Sequence, residues 1–186
     1  MSSLDLYVAF IALLAVERLC ELVLSARNAR RVMARGGTEL GQRHFRAMTL
    51  LHTAFLVACV CEVVFLRRPF PGTLGWAALA VALLAQALRY WAVFTLGDRW
   101  NTRIIFIPGA QPVTTGPYRF IRHPNYLAVI LEFLAVPLIH GGYLTAAVFS
   151  LANAVLLAVR IRAEEAALGL PYERAFSHRP RFIPGE

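Results

Sequence analysis

From Leu74 to Leu96 the chain reads LGWAALAVALLAQALRYWAVFTL. Only Gln86 and Arg89 interrupt an apolar run long enough to cross the ~30 Å hydrocarbon layer of a bilayer as one helix. Backbone groups at that depth find no water, so a helix is the form such a run takes. Similar stretches lie on either side. Leu4 to Leu24 and Ala47 to Leu66 precede it, and Tyr126 to Ile139 and Tyr143 to Val159 follow. Only His140-Gly141-Gly142 separates the last two, which marks a tight helical hairpin, with Pro137 placed to kink its first arm. The expected fold is an all-α integral membrane protein with about five transmembrane helices, a C-terminal helical hairpin and a cytoplasmic tail. It forms a single domain over 1–186, with three spans in 1–96 and a polar loop, the hairpin and the tail in 97–186.

Composition agrees. The 186 residues are 58% hydrophobic and only 16% charged, where a soluble domain carries about a quarter charged residues. The net charge is +8, and every basic residue is an arginine. Those arginines sit in short loops rather than on one long basic face, so no nucleic-acid partner is expected, and the bilayer is. Arg27, Arg30, Arg31, Arg35, Arg43 and Arg46 follow the first span. Arg99, Arg103, Arg119 and Arg122 follow the third, and Arg160, Arg162, Arg174, Arg179 and Arg181 follow the fifth. With five spans these share one side, opposite Arg67 and Arg68. By the positive-inside rule the N-terminus lies outside and the C-terminus in the cytoplasm, in what is expected to be a bacterial inner membrane. Cys20, Cys59 and Cys61 fall inside apolar stretches and read as small core residues. No cleavable signal peptide is expected.

Between the spans, Ile104-Ile105-Phe106-Ile107 suits a short extended piece or a membrane-surface segment, and Pro108-Gly109 and Gly116-Pro117 are turn signals. Arg35-Gly36-Gly37-Thr38-Glu39-Leu40-Gly41 lacks the strand and the Lys-Ser/Thr of a phosphate loop and reads as a turn between helices. The tail beyond Glu165 contains Gly169, Pro171, Pro180 and Pro184 and is expected to form a short helix and a loop.

Charges at membrane depth pair with one another or face a cavity. Glu17, Arg18 and Glu21 lie in the first span, His52 and Glu62 in the second, and Gln86 and Arg89 in the third. An interhelical ion pair of Glu17 or Glu21 with Arg89 is the ordinary expectation, and a substrate-facing Arg89 is the alternative. Glu62 falls near the outer head groups.

Two polar knots stand apart. Thr115-Gly116-Pro117-Tyr118-Arg119-Phe120-Ile121-Arg122-His123-Pro124-Asn125-Tyr126 is the first, and Arg160, Arg162, Glu164 and Glu165 form the second. Arg119 and Arg122 suit a carboxylate or phosphate. Glu164 and Glu165 can accept from a ribose diol and tolerate a nearby cation. Such groups suit S-adenosylmethionine, but equally NADPH or a phospholipid head group. Each residue also has an ordinary reading: arginine anchors, His123 as a helix cap, Pro124 as a first-turn residue, Tyr118 and Tyr126 as interfacial aromatics, and Glu164 and Glu165 as a solvated helix end. Their joint occurrence favours a site.

The run Gly116-Pro117-Tyr118-Arg119, then Arg122-His123-Pro124-Asn125-Tyr126, Arg160, Glu164-Glu165 and Tyr172 ahead of Arg181-Phe182-Ile183-Pro184 resembles the isoprenylcysteine carboxyl methyltransferase family, from about Gly97 onward. Glu17-Arg18 with Glu21, Ser25-Ala26-Arg27-Asn28, Arg35-Gly36-Gly37 and His44 with His52 are similar to a bacterial branch that O-methylates alkylpyrones or alkylresorcinols. The resemblance implies an S-adenosylmethionine site formed by the last two helices and the tail. Its cofactor-binding residues would be Tyr118, Arg122, His123, Pro124, Asn125, Tyr126, Glu164 and Glu165. Arg89, Arg179 and Arg181 would hold the acceptor. Glu132 and Arg160 are the catalytic candidates, and His123 or Glu132 is the candidate base for a hydroxyl acceptor. Around Leu168-Gly169-Leu170-Pro171-Tyr172 the chain departs from the family's Phe-Gly-x-x-Tyr run. The implied partner is a lipophilic or lipidated acceptor, and no metal is expected. The alternatives are an NADPH-dependent membrane reductase, since sterol reductases carry a similar run, or a non-catalytic lipid-binding membrane protein.

Overall fold

In a computed structural model the chain is described over residues 2–40 and 42–182; the side chains of residues 42–44 lie outside that description. Gly41 of the glycine-rich turn, the side chains of Arg43 and His44, and Ile183 and Pro184 of the tail therefore fall outside the described residues. Among the described residues five α-helices carry the fold: α1 (Ser3–Met33), α2 (Gln42–Phe65), α3 (Thr73–Leu96), α4 (Pro124–Leu138) and α5 (Tyr143–Ala175). Among the described residues, three regions are long and apolar enough to cross a membrane, namely Phe45–Phe65, Thr73–Arg99 and Tyr143–Ala175. Side chains such as Leu50, Leu83, Leu84, Phe94, Leu151 and Val155 stay exposed, as lipid-facing residues do.

The ends of the helices follow local chemistry. Ser2 and Asp5 form a reciprocal capping box at the start of α1, and Arg30 and Arg31 fall in its last turn, where cations favour the helix dipole. α1 runs on past Leu24 because its last turns are anchored elsewhere. The Asn28 amide donates to the carbonyls of Gly97 (3.2 Å) and Trp100 (2.9 Å), and Thr102 N donates to Ser25 Oγ at 3.0 Å. Pro137 lies in the last turn of α4 and ends that arm, where its carbonyl accepts from Gly142 N at 2.8 Å. Gly141, at φ 72°, takes the left-handed step that the tight hairpin requires.

α3 packs on α4 through Ala78, Ala82, Ala85, Arg89 and Ala92, a helical stripe of small residues with one arginine in it. The facing stripe of α4 holds Ala128, Val129, Glu132, Phe133 and Val136. Phe55 of α2 stacks on Phe133 at 4.1 Å between ring centroids, in the middle of the core.

Two readings of the sequence are corrected and one open choice is decided. The glycine-rich segment is more than a turn, because Thr38–Leu40 forms β1, antiparallel to β2 (Ile104–Phe106) with Glu39 opposite Ile105. Of the two readings open for the β-branched run, the extended one holds, with Ile104–Phe106 paired. The tail helix is no separate element. α5 continues from Tyr143 to Ala175 through a kink at Gly169 (φ 62°, ψ −158°).

Candidate active site

The two polar knots meet. His123 is the residue that caps α4, and its backbone is tied to the tail, with His123 N donating to the Arg181 carbonyl at 3.2 Å and Arg122 N to that of Pro180 at 3.0 Å. Pro124 at the first helical position fixes the direction in which α4 leaves. The His123 Nε2 lies 3.0 Å from Glu165 Oε1, and Arg181 closes the other side of that carboxylate at 2.6 and 3.1 Å. One turn along α4, the Tyr126 hydroxyl donates to Glu164 Oε2 and accepts from Arg160 Nε at 2.8 Å. Arg160, buried on α5, also donates to the Thr102 carbonyl at 2.6 Å, so the loop after α3 is held over the site. The kink at Gly169 swings Tyr172 back beneath His123, with its hydroxyl 3.5 Å from Nε2.

These groups floor a cavity of about 540 Å³, inside the range of roughly 300–1,000 Å³ typical of small-molecule sites. Tyr118, Arg122, His123, Asn125, Tyr126, Arg160 and Glu164 line its polar end, and Arg89 also reaches it. Its walls toward α1 and α2 carry Leu19, Leu22, Met48 and Leu56 beside the polar Arg18, Glu21 and His52, and the segment from Trp100 to Val113 covers it. Burial, reinforced by the neighbouring Glu164 charge, holds the Tyr118 phenol well above its ordinary pKa, so it stays neutral. The Arg181 guanidinium is raised by its bond to Glu165.

The remaining candidates lie elsewhere. Pro124, Glu165, Arg179 and Arg181 stand behind the cavity wall. The Arg179 carbonyl accepts from Arg122 Nε at 2.6 Å. Arg162 is exposed. Glu132 does not line the main cavity; its carboxylate is taken up by Arg18 (3.3 Å) and Arg89 (3.2 Å). Arg89 also pairs with Glu21 at 3.4 Å, the interhelical pair expected from the sequence, and Arg18 with Glu21 at 2.6 Å. Asn125 Oδ1 accepts from Arg89 NH1 at 3.4 Å, linking this buried network to the cavity.

Sequence reasoning missed three contributors. The cover from Trp100 to Val113 was visible only as a β-branched run. Tyr172 depends on the Gly169 kink. His52, one of the polar residues inside the spans, lines the cavity from α2.

Lipid-facing helices around a deep, polar-floored cleft mark an integral membrane protein with a cavity near one end of the bundle. Residues 78–169 match the isoprenylcysteine carboxyl methyltransferase (ICMT) family, and the chain belongs to it, which makes the protein a membrane methyltransferase. The matched segment carries α4, both knots and the Gly169 kink. The chain is 43% identical over 159 residues to "Uncharacterized protein YpbQ" of Bacillus subtilis (strain 168), which covers 85% of this chain and 94% of the relative. It is 29% identical over 162 residues to an "Uncharacterized protein" of Haemophilus influenzae, with 87% and 93% covered.

Proposed function

We propose that this chain transfers a methyl group from S-adenosylmethionine to an oxygen, carboxylate or hydroxyl, of a lipophilic acceptor drawn from the bilayer. The observation that carries the reading is the convergence of His123, Tyr126, Arg160 and Glu164 on one cavity of cofactor size. The donor set fits that group. Arg160 and Arg122 supply fixed positive charge for its carboxylate, and Glu164 accepts from hydroxyls and offsets a sulfonium. When bound, the cofactor supplies an electrophilic methyl carbon. The chain's own work is to orient, to exclude water and to hold the acceptor oxygen in line. Glu165 and Arg181 act behind the wall by fixing the His123 ring.

The apolar side chains Leu19, Leu22, Met48 and Leu56 on the cavity wall toward α1 and α2 support a lipophilic acceptor. In this reading α1 and the short α4 complete five spans around the site, the N-terminus lies outside, and the arginine-rich loops and C-terminus face the cytoplasm, where the cofactor is found.

The test is transfer of labelled methyl from S-adenosylmethionine, by the purified chain in lipid nanodiscs, to a long-chain resorcinol and to a prenylcysteine analogue. Label in either product supports the proposal. NADPH oxidation without label transfer contradicts it and favours a reductase.

A further inference from the structure

Asn125 stands in the first turn of α4, where the buried charge network of α1, α3 and α4 meets the cavity. Arg89 of α3 is 4% exposed, with Glu21 3.4 Å from its Nε and Glu132 3.2 Å from its NH2. The Nε has no hydrogen-bond partner among the described residues. NH1 does have one, and donates to Asn125 Oδ1 at 3.4 Å. A guanidinium carries donors and no acceptor, so the carbonyl of Asn125 is the end that faces Arg89. The amide nitrogen then points the other way, and among the described residues it has no hydrogen-bond partner. Asn125 lines the cavity, so two N–H donors are held out to what fills it.

These donors lie between two parts of the cavity. The polar end has its own set of bonds, in which Tyr126 joins Arg160 and Glu164. Asn125 takes no part in that set. Through Arg89 it is joined instead to Glu21, which lines the cavity on α1 beside Arg18, Leu19 and Leu22. Val129, one turn further along α4, continues the lining away from the polar end. A methyl group passing from cofactor to acceptor has to cross this border.

We propose that Asn125 binds the acceptor rather than the cofactor, its amide N–H donating to an oxygen of the acceptor head, and that Arg89 is the positioning residue that keeps the amide turned that way. The inference rests on the methyl-transfer reading and assigns to the acceptor a residue that the sequence motif alone gives to the cofactor. Asn125 gives up no proton. It fixes the head so that the reacting oxygen lies on the line of the methyl–sulfur bond. A donor held by a buried guanidinium is set before the acceptor arrives, so little ordering is left to be done on binding.

The test has two arms. In the first, protein carrying isotope-labelled asparagine is placed in nanodiscs, and the side-chain NH2 signal of Asn125 is identified by its loss in Asn125→Asp. With no cofactor present, a long-chain resorcinol and a prenylcysteine analogue are added in turn. At least one should move that signal further than S-adenosylmethionine alone does. The second arm is transfer of labelled methyl. Asn125→Asp keeps the size of the side chain and its contact with Arg89, but offers only acceptors to the cavity. Its kcat/KM for the acceptor should fall about tenfold, the worth of one hydrogen bond, with affinity for S-adenosylmethionine unchanged. Arg89→Lys, which still has only donors, should keep more activity than Arg89→Gln, beside which the amide is free to turn over. Asn125→Ala repeats this arm should the aspartate variant fold poorly. A signal that neither acceptor moves, an unchanged kcat/KM in the Asn125 variants, or weaker cofactor affinity with an unchanged acceptor KM would each overturn the proposal. Failure of cofactor binding in the parent would sink the methyl-transfer reading, while the first arm would still report on Asn125.

Discussion

Glu62 and Glu164 stand toward opposite ends of α5 and are treated in opposite ways. Glu62, reaching across from α2, accepts from the first amides of α5, Leu144 N at 3.1 Å and Thr145 N at 2.7 Å, and pairs with Arg68 at 3.1 Å. It closes a helix end that no side chain within α5 caps. Glu164 has a single hydrogen-bond partner among the described residues, the Tyr126 hydroxyl, and otherwise faces the cavity. A carboxylate saturated by backbone amides holds the fold. One tethered by a single phenol keeps capacity for a ligand. The difference separates the structural end of this bundle from its working end.

The strongest way to break that contrast is at the working end. Arg160→Ala strips the Tyr126–Glu164 pair of its buried cation and releases the loop at Thr102. Losing one member of such a buried group costs about 3 kcal/mol, expected as a loss of roughly 100-fold in cofactor affinity by calorimetry. Gly169→Ala comes next. No neighbouring atom lies within 4 Å of an added Cβ, so the penalty is conformational only. The φ of 62° with ψ near −158° belongs to a region open almost solely to glycine, and about 2 kcal/mol is expected. The kink should relax and move Tyr172, with quenched Tyr172 contacts detected as faster proteolysis after Leu168 and weaker cofactor binding.

The closed end should answer differently. Glu62→Ala leaves two α5 amides unpaired and lowers thermal stability by about 1–2 kcal/mol, while the cofactor affinity of the folded protein stays at the parent value. The smallest effect is expected from Glu165→Ala. Its partner Arg181 is 54% exposed, so much of that pairing is screened by solvent and salt. The loss is the anchoring of His123, about 1 kcal/mol, and a roughly fivefold weaker cofactor affinity checks it.

Much of this contrast was legible in the sequence, and the limits were physical. Long apolar runs located the helices, since hydrophobicity over a membrane-length stretch admits one backbone solution. The Arg-His-Pro and Glu-Glu knots were visible as polar groups without an ordinary reason to gather. Helix ends were less legible. Asn28 prolongs α1 only because carbonyls of a loop some seventy positions away await it. Gly169 reads as a break, yet the chain bends there and resumes its helix. The capping role of Glu62 was hidden because the groups it caps are backbone amides, which leave no mark in the sequence. The setting of Glu132 was hidden because a stripe of alanines on α3 gives no sign that one arginine among them will meet it.

The contrast itself is open to one direct measurement: calorimetric titration of the purified parent, Glu164→Gln and Glu62→Gln with S-adenosylmethionine. The account predicts saturable binding to the parent and to Glu62→Gln with equal affinity, and a loss of about tenfold in Glu164→Gln. No binding by the parent, or the same affinity in all three, would contradict it.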